Sequence, residues 1–515
     1  MHKIKTVLLA SLLFTSLCQT ALASSEQWFS HSDYIDAATL VDTYPDDIDS
    51  SWLKNQQLTA HAVDAINFIS SASKHGLNPE KYHLTELKQF EPSQDEATSK
   101  QFEQLLNESL LSFISDLQVG QFKASEADPQ WFIPQATFNA AEFLQQAVRQ
   151  PHLKDELNRL IPNTPEYNQL IETLAQYQAY AEQGSWQKIP SSKLLRVNTD
   201  HSSIALIRAR LAYEAPLLTL SASDNARYYD QQLEQAVKNF QTKYNLKIDG
   251  VIGRDTIDAM NISAQDRVKQ IQIALERHRW MPKELGPRYL MINLASYQLS
   301  AIENGEEKLA MRVIIGRKDR QTPSFTANMR NIVFNPYWNV PTKLAVLDLL
   351  PKQQADLNYF YSHDIRVFSR EIGHKTEHNT YSIDWQSLSA QNFPYLLRQD
   401  PGKHNALGQL KFMFKNPWGI YLHDTSHRSL FARDKRSLSS GCIRVQDPVA
   451  LADFTLSNTP EEKIIAILKS NNNKGLLIDN PLQIYAVYFT VSIDNDHVRF
   501  SPDIYKRDQH MAKLL

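Results

Sequence analysis

Hydrophobic residues recur at intervals of three and four over much of residues 24–222. The pattern is clearest in "DAINFISSASKHGL", "FEQLLNESLLSFISDL" and "YNQLIETLAQYQAYAEQG", and this spacing places the apolar side chains on one face of an α-helix. These stretches contain no cluster of residues suited to catalysis. We therefore predict that residues 24–222 form a helical scaffold domain.

A second, smaller helical unit is predicted at residues 223–262. Apolar residues from Leu233 to Tyr244 fall on one helical face, Asp249-Gly250 marks a turn, and another short helix begins near Thr256. The pattern indicates a compact helical module that is separate from the scaffold.

A capped helix is predicted to link this module to the rest of the chain, over residues 263–285. Ser263 is a good amino-terminal cap and Asp266 follows three residues later, which is the spacing of a capping box. Pro282 cannot continue a helix, so the linker helix is expected to stop there.

Residues 286–515 change to a strand-like pattern. The stretch "YLMINLASYQLSAIENGEEKLAMRVIIG" predicts two or three strands with a hairpin turn at Asn304-Gly305, and "NIVFNPYWNVP" predicts another. A polar, helix-like segment at about 343–400 interrupts the series, and "KFMFKNPWGIYLHD" resumes it. The predicted fold class is multidomain α+β, with a mainly β carboxy-terminal domain that contains an insertion.

The first residues have the order of a secretory signal peptide. Lys3 and Lys5 precede an apolar run from Thr6 to Leu17, and small residues at 21–23 predict cleavage after Ala23. A membrane-spanning helix needs about 20 apolar residues, and this run is shorter. We therefore expect residues 1–23 to be removed, leaving no transmembrane segment.

The net charge and the cysteine content argue against some classes of partner and of membrane attachment. The formal net charge is −3, and loss of the two leader lysines makes it −5, which argues against nucleic acid or an acidic membrane surface as a partner. Of the two cysteines, Cys18 belongs to the leader. It follows Leu17 rather than a small residue, which argues against a lipid anchor.

Cys442 is then the one thiol of the mature chain, within "SLSSGCIRV". A single thiol cannot form an internal disulfide, although exported proteins usually pair their cysteines. It is either a buried core residue or a reactive group. Because "SSG" and "IRV" predict a tight turn entering a strand, the sequence favours an accessible nucleophile.

A nucleophilic thiol also needs a base, because an ordinary thiol has a pKa near 8.5. His423 ends the apolar run "GIYL", where a strand would hold its ring in place, whereas His404 and His427 lie in polar loops. The backbone N–H groups of Gly441 and Cys442 are candidates for an oxyanion hole.

Two stretches of the sequence resemble known protein domains. Residues 233–261 resemble the three-helix peptidoglycan-binding domain, which implies contact with the cell wall and a periplasmic location. "LHD" followed by "SSGCIRV" resembles the L,D-transpeptidase catalytic domain, which implies that Cys442 is the nucleophile and His423 the general base.

The motif departs from the commoner family form at two positions. Ser440 and Arg444 stand where that form has histidine and asparagine, and the sequence resembles instead the large Gram-negative branch, in which "SSGC" follows "LHDT". In that branch a scaffold and a wall-binding module accompany the catalytic domain. The insertion at about 343–400 corresponds to its lid.

The resemblance implies a reaction and its partners. The thiolate would attack the carbonyl of the diamino acid at position three of a tetrapeptide stem, release D-Ala and form a thioester, and an amine of a neighbouring stem would resolve it into a 3→3 cross-link. It implies peptidoglycan stem peptides and other wall-synthesis enzymes as partners, and no cofactor or metal.

Arg444 and Ser440 are candidates for substrate binding. Arg444 lies two residues beyond Cys442 on a strand, so both side chains should share a face, and a guanidinium can hold a stem carboxylate bidentately. The alternative is a structural ion pair with Asp424 or Asp447.

Other functions remain open at this point. Water or a lipoprotein lysine could take the acyl group, giving an L,D-carboxypeptidase or a lipoprotein-attaching transpeptidase. His423, His427 and Cys442 could instead bind zinc, although a further ligand at suitable spacing is missing. A catalytically inactive wall-binding scaffold is the third alternative.

Overall fold

The structure is a computed structural model that describes residues 52–91, 95–214, 226–370, 376–494 and 496–515. The predicted leader, with Cys18, lies outside the described residues. Within those ranges no helix is both long and apolar enough to cross a membrane.

The amino-terminal part is helical, as its apolar spacing predicts. Its elements are β1 (Leu53–Lys54), β2 (Gln57–Leu58), α1 (Ala60–Ser70), α2 (Leu84–Lys88), α3 (Glu96–Val119), α4 (Ala124–Ala127), β3 (Trp131–Phe132), α5 (Ala140–Ala147), α6 (Leu153–Asn158), α7 (Pro165–Glu182) and α8 (Ser203–Ala212). Helix α3 starts where the Asp95 carboxylate accepts hydrogen bonds from the N–H groups of Ala97 and Thr98. Its buried positions recur every three to four residues from Leu106 to Leu117, so one face packs into the scaffold core.

Two more helices, α9 (Gln231–Lys243) and α10 (Arg254–Met260), are joined by the predicted turn. The Gln241 side chain holds this turn, because its Oε1 accepts hydrogen bonds from the N–H groups of Asp249 and Gly250, at 3.1 and 2.9 Å. Gly250 has a φ of +67°, a conformation that glycine adopts without strain. The turn therefore packs tightly against α9.

The linker helix, α11 (Ala264–Trp280), begins at the predicted cap, where Ser263 Oγ accepts a hydrogen bond from the Asp266 N–H at 3.1 Å. Its buried Arg277 donates to Asp508 near the carboxy terminus at 2.6 Å, and it lies 3.4 Å from Asp128 of the scaffold. One ion-pair cluster thus joins the scaffold, the linker helix and the end of the chain.

The carboxy-terminal part is mainly β, which confirms the predicted fold class. Its strands are β4 (Arg288–Asn293), β5 (Gln298–Glu303), β6 (Glu306–Gly316), β7 (Ser324–Phe334), β8 (Trp338–Asn339), β9 (Ile365–Ser369), β10 (Glu377–His378), β11 (Tyr395–Gln399), β12 (Leu410–Phe414), β13 (Leu422–His423), β14 (Ser437–Ser439), β15 (Ile443–Val445), β16 (Lys474–Val487), β17 (Val491–Asp494) and β18 (His497–Phe500). Its helices are α12 (Thr342–Leu344), α13 (Leu350–Ala355), α14 (Tyr359–Ser362), α15 (Pro448–Thr455), α16 (Glu461–Lys469) and α17 (Arg507–Met511).

The main sheet closes on itself. Its strand order is β12-β13-β15-β6-β5-β4-β16-β7, and β7 also pairs with β12. The predicted hairpin is present between β5 and β6, where Asn304 and Gly305 have φ values of +53° and +82°. The core inside the sheet is aliphatic and aromatic, so it holds the short strands β13 and β15 in fixed register.

The scaffold contributes a strand to this sheet. Trp131 pairs with Ser324 and Phe132 with Phe325, in parallel, so β3 extends the edge of β7. This strand was not predicted from the sequence, because two residues are too few to show a hydrophobic period.

The insertion at 343–400 differs from its helix-like prediction. It holds short helices, but β9, β10 and β11 form a small antiparallel sheet that β8 completes. These strands cover a core of their own that includes Leu350, Phe360 and Val367. The polar composition of the segment concealed these few buried positions.

Candidate active site

Strands β13 and β15 bring four side chains to one face. The strands run parallel, with Leu422 paired to Ile443 and His423 to Arg444. Leu422 and Ile443 are fully buried in the core. Because side chains alternate along a strand, Tyr421 and His423 share the opposite face with Cys442 and Arg444.

Cys442 is half-buried and immediately precedes β15. Its Sγ lies 3.9 Å from the carbonyl oxygen of Gly419. Burial raises the pKa of the thiol, whereas hydrogen bonds from the backbone and phenol of Tyr421 and the positive charge of Lys411 lower it. The surroundings of the sulfur therefore include groups that favour the thiolate.

His423 is buried, and its Nδ1 lies 2.5 Å from the carbonyl oxygen of Asp424. A carbonyl oxygen can only accept, so Nδ1 carries the proton and Nε2 has a free lone pair. Burial, together with the charge of Arg444, lowers the pKa of His423 to about 3. The ring is therefore neutral at physiological pH and has the protonation state of a base.

Among the described residues no hydrogen bond joins the His423 ring to Cys442. The strand register pairs His423 with Arg444, so Cys442 is its diagonal neighbour. Such contacts are often long before substrate binds. His404 and His427 lie on the surface, His404 3.4 Å from Asp364 and His427 3.2 Å from Ser426.

The turn before Cys442 is shaped by Gly441, whose φ of +119° favours glycine. The Gly441 carbonyl accepts a hydrogen bond from Thr322 Oγ1 at 2.8 Å, and its N–H donates to Ser439 Oγ at 3.1 Å. The Gly441 N–H expected in an oxyanion hole is thus already engaged. The structure describes no hydrogen bond for the Cys442 N–H, which leaves it as the available donor of the predicted pair.

Arg444 makes neither of the ion pairs considered from the sequence. Asp424 pairs with Arg428 at 2.7 Å, and Asp447 caps α15 by accepting from the Ala450 N–H at 3.0 Å. The contact described for Arg444 is a long one of 3.5 Å to Thr425 Oγ1, and its Nε is buried without a partner.

Lys411 adds a second cation to the same face. It is paired in register with His423, and its Nζ lies 3.9 Å from the centroid of the Tyr421 ring. Burial lowers the pKa of Lys411. With Arg444, it gives the site two cations for which the described residues supply no carboxylate partner, an arrangement suited to an anionic substrate group.

Ser440 connects the catalytic turn to the insertion. Its Oγ accepts a hydrogen bond from Arg320 at 3.1 Å, and Arg320 also holds Asp348 with two bonds of 2.6 and 3.1 Å. Asp348 lies in the π-helical turn Ala345–Leu349 of the insertion. The insertion is thereby tied to the residue two positions before the nucleophile.

Several residues of this site were not predicted from the sequence. Tyr421 could have been found by alternation, since it lies two residues before His423 on the same run. Lys411, Arg320 and Thr322 come from distant segments, and nothing local marks them. No group of three or more His, Cys, Asp or Glu side chains suited to a metal occurs within the described ranges.

Family comparisons agree with the organisation of the chain. Residues 287–465 match the model of the L,D-transpeptidase catalytic domain, residues 39–174 match a scaffold domain, and residues 201–260 match a "Putative peptidoglycan binding domain". The last match includes helix α8, whereas the unit predicted from the sequence begins at residue 223. Residues 287–465 therefore belong to the L,D-transpeptidase catalytic domain family.

The chain thus combines matches to a catalytic domain, a scaffold domain and a peptidoglycan-binding domain. It is similar to a protein of Haemophilus influenzae named "Putative L,D-transpeptidase", with 37% identity over 227 residues. The alignment covers 43% of this chain and 45% of that protein. The match thus spans less than half of the curated relative.

Two solved structures are also similar. An L,D-transpeptidase from Xylanimonas cellulosilytica has 15% identity and a TM-score of 0.19, with 58% of this chain and 99% of that chain covered. One from Stackebrandtia nassauensis has 11% identity and a TM-score of 0.22, with 58% and 96% covered.

Proposed function

We propose that the protein is a periplasmic L,D-transpeptidase that forms 3→3 cross-links in peptidoglycan. The observation that carries the proposal is the shared face of Cys442, Tyr421, His423 and Arg444 in a catalytic domain of this family. A nucleophile, a neutral base and cations without a carboxylate partner among the described residues share that face. The leader-like first residues support export, and the peptidoglycan-binding match supports a wall substrate.

The first half-reaction forms a thioester. The Cys442 sulfur attacks the carbonyl carbon of the diamino acid at stem position three, and the thiol proton passes to the free Nε2 of His423. The Cys442 N–H is placed to stabilise the developing oxyanion. The C–N bond to D-Ala then breaks, and the imidazolium returns its proton to the leaving amine.

The second half-reaction uses the same groups in reverse. The side-chain amine of a neighbouring stem attacks the thioester carbonyl, His423 accepts a proton from that amine, and the C–S bond breaks. The product carries a peptide bond between two residues at position three, and the thiol is restored. Arg444 and Lys411 hold stem carboxylates while the acyl group is transferred.

The decisive experiment follows the products. Purified protein is incubated with disaccharide tetrapeptide, and mass spectrometry is used to detect free D-Ala, an acylated chain and the cross-linked dimer. Cys442→Ala should abolish D-Ala release and acylation while the protein still binds isolated cell walls. D-Ala release by that variant within a factor of about ten of the parent would reject the nucleophile, since removal of a covalent nucleophile costs far more.

A further inference from the structure

Phe132 and Trp418 form an exposed aromatic pair beside the candidate active site. Their ring centroids lie 4.8 Å apart, with the ring planes tilted by 55°, and 46% and 38% of the surfaces of the two residues remain exposed. Phe132 belongs to β3 of the scaffold, whereas Trp418 lies in the turn that leads to β13. Two domains thus contribute to one exposed aromatic surface.

The Asn416 side chain fixes the turn that carries Trp418. Its Oδ1 accepts hydrogen bonds from the N–H groups of Trp418 and Ile420, at 3.1 and 2.9 Å, and its Nδ2 donates to the Ile420 carbonyl at 2.6 Å. Gly419 has a φ of +64°, which favours glycine. The Trp418 ring also packs against buried Phe325, with 5.7 Å between the centroids. The aromatic surface therefore has a fixed position.

Gly419 connects this aromatic surface to the nucleophile. Its carbonyl oxygen lies 3.9 Å from Cys442 Sγ, and the thiol is the donor that the structure describes for it. Because a thioester has no S–H group, this carbonyl loses that donor when Cys442 is acylated. An amine that attacks the thioester carbon must approach to about 3–3.5 Å from it. The amine therefore arrives close to an oxygen that can accept a hydrogen bond from it.

The cations of the active-site face lie at the other end of the same strands. Lys411 and Arg444 are both paired in register with His423, whereas the turn that carries Trp418 precedes β13. Lys415, the charged residue of that turn, is exposed to solvent, where its charge is screened. An incoming cation is thus repelled from one end of the site. The aromatic end suits it, because the faces of aromatic rings carry partial negative charge.

We propose that Phe132, Trp418 and the Gly419 carbonyl form the subsite for the acceptor amine, and that the two rings hold its protonated form. The inference rests on the proposed function and names the residues that favour an amine over water. Because an aliphatic amine has a pKa of about 10.4, it arrives as an ammonium ion. It gives one proton to solvent, and its nitrogen attacks the thioester carbon. A second proton passes through His423 Nε2 to the departing sulfur of Cys442.

This assignment makes the scaffold part of the active site. Phe132 lies within the scaffold match at residues 39–174, and the pairing of β3 with β7 fixes its backbone. A catalytic domain without the scaffold would keep the nucleophile and the base but would lose one ring of the acceptor subsite. Water would then resolve a larger share of its acyl-enzyme.

The test measures how the acyl-enzyme is resolved. The full chain is incubated with disaccharide tetrapeptide, and mass spectrometry quantifies the cross-linked dimer and the tripeptide that hydrolysis produces. Phe132→Leu keeps an apolar side chain on β3 but removes the ring. We expect it to lower the ratio of dimer to tripeptide about three- to tenfold, the worth of a cation–π contact. The single-turnover rate of acylation, followed by D-Ala release, should stay the same.

Two further variants accompany Phe132→Leu. Trp418→Leu should lower the ratio in the same direction, and if it also lowers the melting temperature, Phe132→Leu decides the question. Phe143→Leu is the matched control and should leave the ratio unchanged. Phe143 is a half-buried aromatic residue of the scaffold that packs beside Phe138, with 5.9 Å between the ring centroids.

A pair of competitors separates charge from apolar contact. Nα-acetyl-Nε-trimethyl-lysine amide has a fixed positive charge and cannot accept an acyl group, and Nα-acetylnorleucine amide is its neutral counterpart. The charged compound should lower the ratio of dimer to tripeptide in the parent and change it little in Phe132→Leu. The neutral compound should change it little in either protein.

Equal ratios in the parent, Phe132→Leu and Trp418→Leu would overturn the subsite and leave the proposed function intact. A loss of acylation rate in Phe132→Leu as large as the loss of ratio would assign the rings to the donor stem and would also overturn it. Equal competition by the neutral compound would have the same consequence. A parent that forms no acyl-enzyme, or forms one but no dimer, rejects the proposed function, and the subsite is rejected with it.

Discussion

Tyr421 and Cys442 each immediately precede one of two parallel strands, and the carbonyl of Tyr421 accepts a hydrogen bond from the N–H of Ile443 at 3.2 Å. The backbone and phenol of Tyr421 both lower the pKa of the Cys442 thiol, against the larger effect of burial. The tyrosine thus acts on the nucleophile without being part of the motif that identifies it.

Replacing Tyr421 should change the reactivity of the thiol. Because thiols react as thiolates, and burial raises the pKa of Cys442, the rate of alkylation by iodoacetamide should climb with pH through the alkaline range. Tyr421→Phe removes one stabilising hydrogen bond, so the climb should shift to higher pH and the rate at pH 7 should fall about three- to tenfold. An unchanged midpoint would show that the phenol does not act on the sulfur. Tyr381→Phe, at an exposed position of the insertion, serves as the control.

The choice of base can be tested by comparing three histidines. His423→Ala should lower the rate of D-Ala release by about 10²- to 10⁴-fold, the usual worth of a positioned general base. His427→Ala and His404→Ala should change it little, because both side chains lie on the surface. Since the pKa of His423 is lowered to about 3, its protonation should not shape the pH profile of kcat/KM between pH 5 and 7. A critical role for His427 would contradict the assignment.

Arg444→Lys separates a substrate clamp from a structural brace. Lysine keeps the charge but loses the planar fork, so a clamp predicts a KM raised about tenfold with a nearly unchanged melting temperature. The missing carboxylate partner of Arg444 favours this outcome. A lower melting temperature and a lower kcat, with KM unaltered, would instead make Arg444 a brace.

Asp348→Asn should loosen the insertion from the catalytic turn. It removes the charge that pairs with Arg320 and Arg317. Hydrogen exchange of Ala345–Leu349 should then become faster, and Cys442 should be alkylated more quickly. Asp319→Asn is the matched control, because Asp319 also pairs with Arg317, at 3.1 Å, and more distantly with Arg320, at 3.9 Å, but lies outside the insertion. Equal effects of the two variants would argue against a specific role for Asp348.

Elements that depend on contacts between residues close together in the chain were predicted from the sequence. The cap at Ser263, the turn at Asp249-Gly250 and the hairpin at Asn304-Gly305 follow from side-chain hydrogen bonds and backbone freedom, and each is present. The same holds for the amphipathic helices of the scaffold. Such features need only neighbours within a few residues.

The arrangement of the site depends on pairings between distant segments. The residues next to Lys411 in the sequence do not indicate that its side chain lies over the Tyr421 ring. Nor do the neighbours of Arg444 indicate that Asp424 forms its ion pair with Arg428. The strand content of the insertion was missed for a related reason, since a few buried residues such as Phe360 are enough to hold a small sheet. Contacts of this kind require the register of the whole sheet.

The pairing of Trp131–Phe132 with Ser324–Phe325 makes the domains less independent than their separate sequence families imply. A fragment cut at the start of the catalytic domain would leave the first residues of β7 without the backbone partners that β3 supplies. Such a bare edge is a template for intermolecular strand addition. By pairing with these residues, β3 of the scaffold covers that part of the edge, so we expect a fragment without the scaffold to aggregate more readily than the full chain.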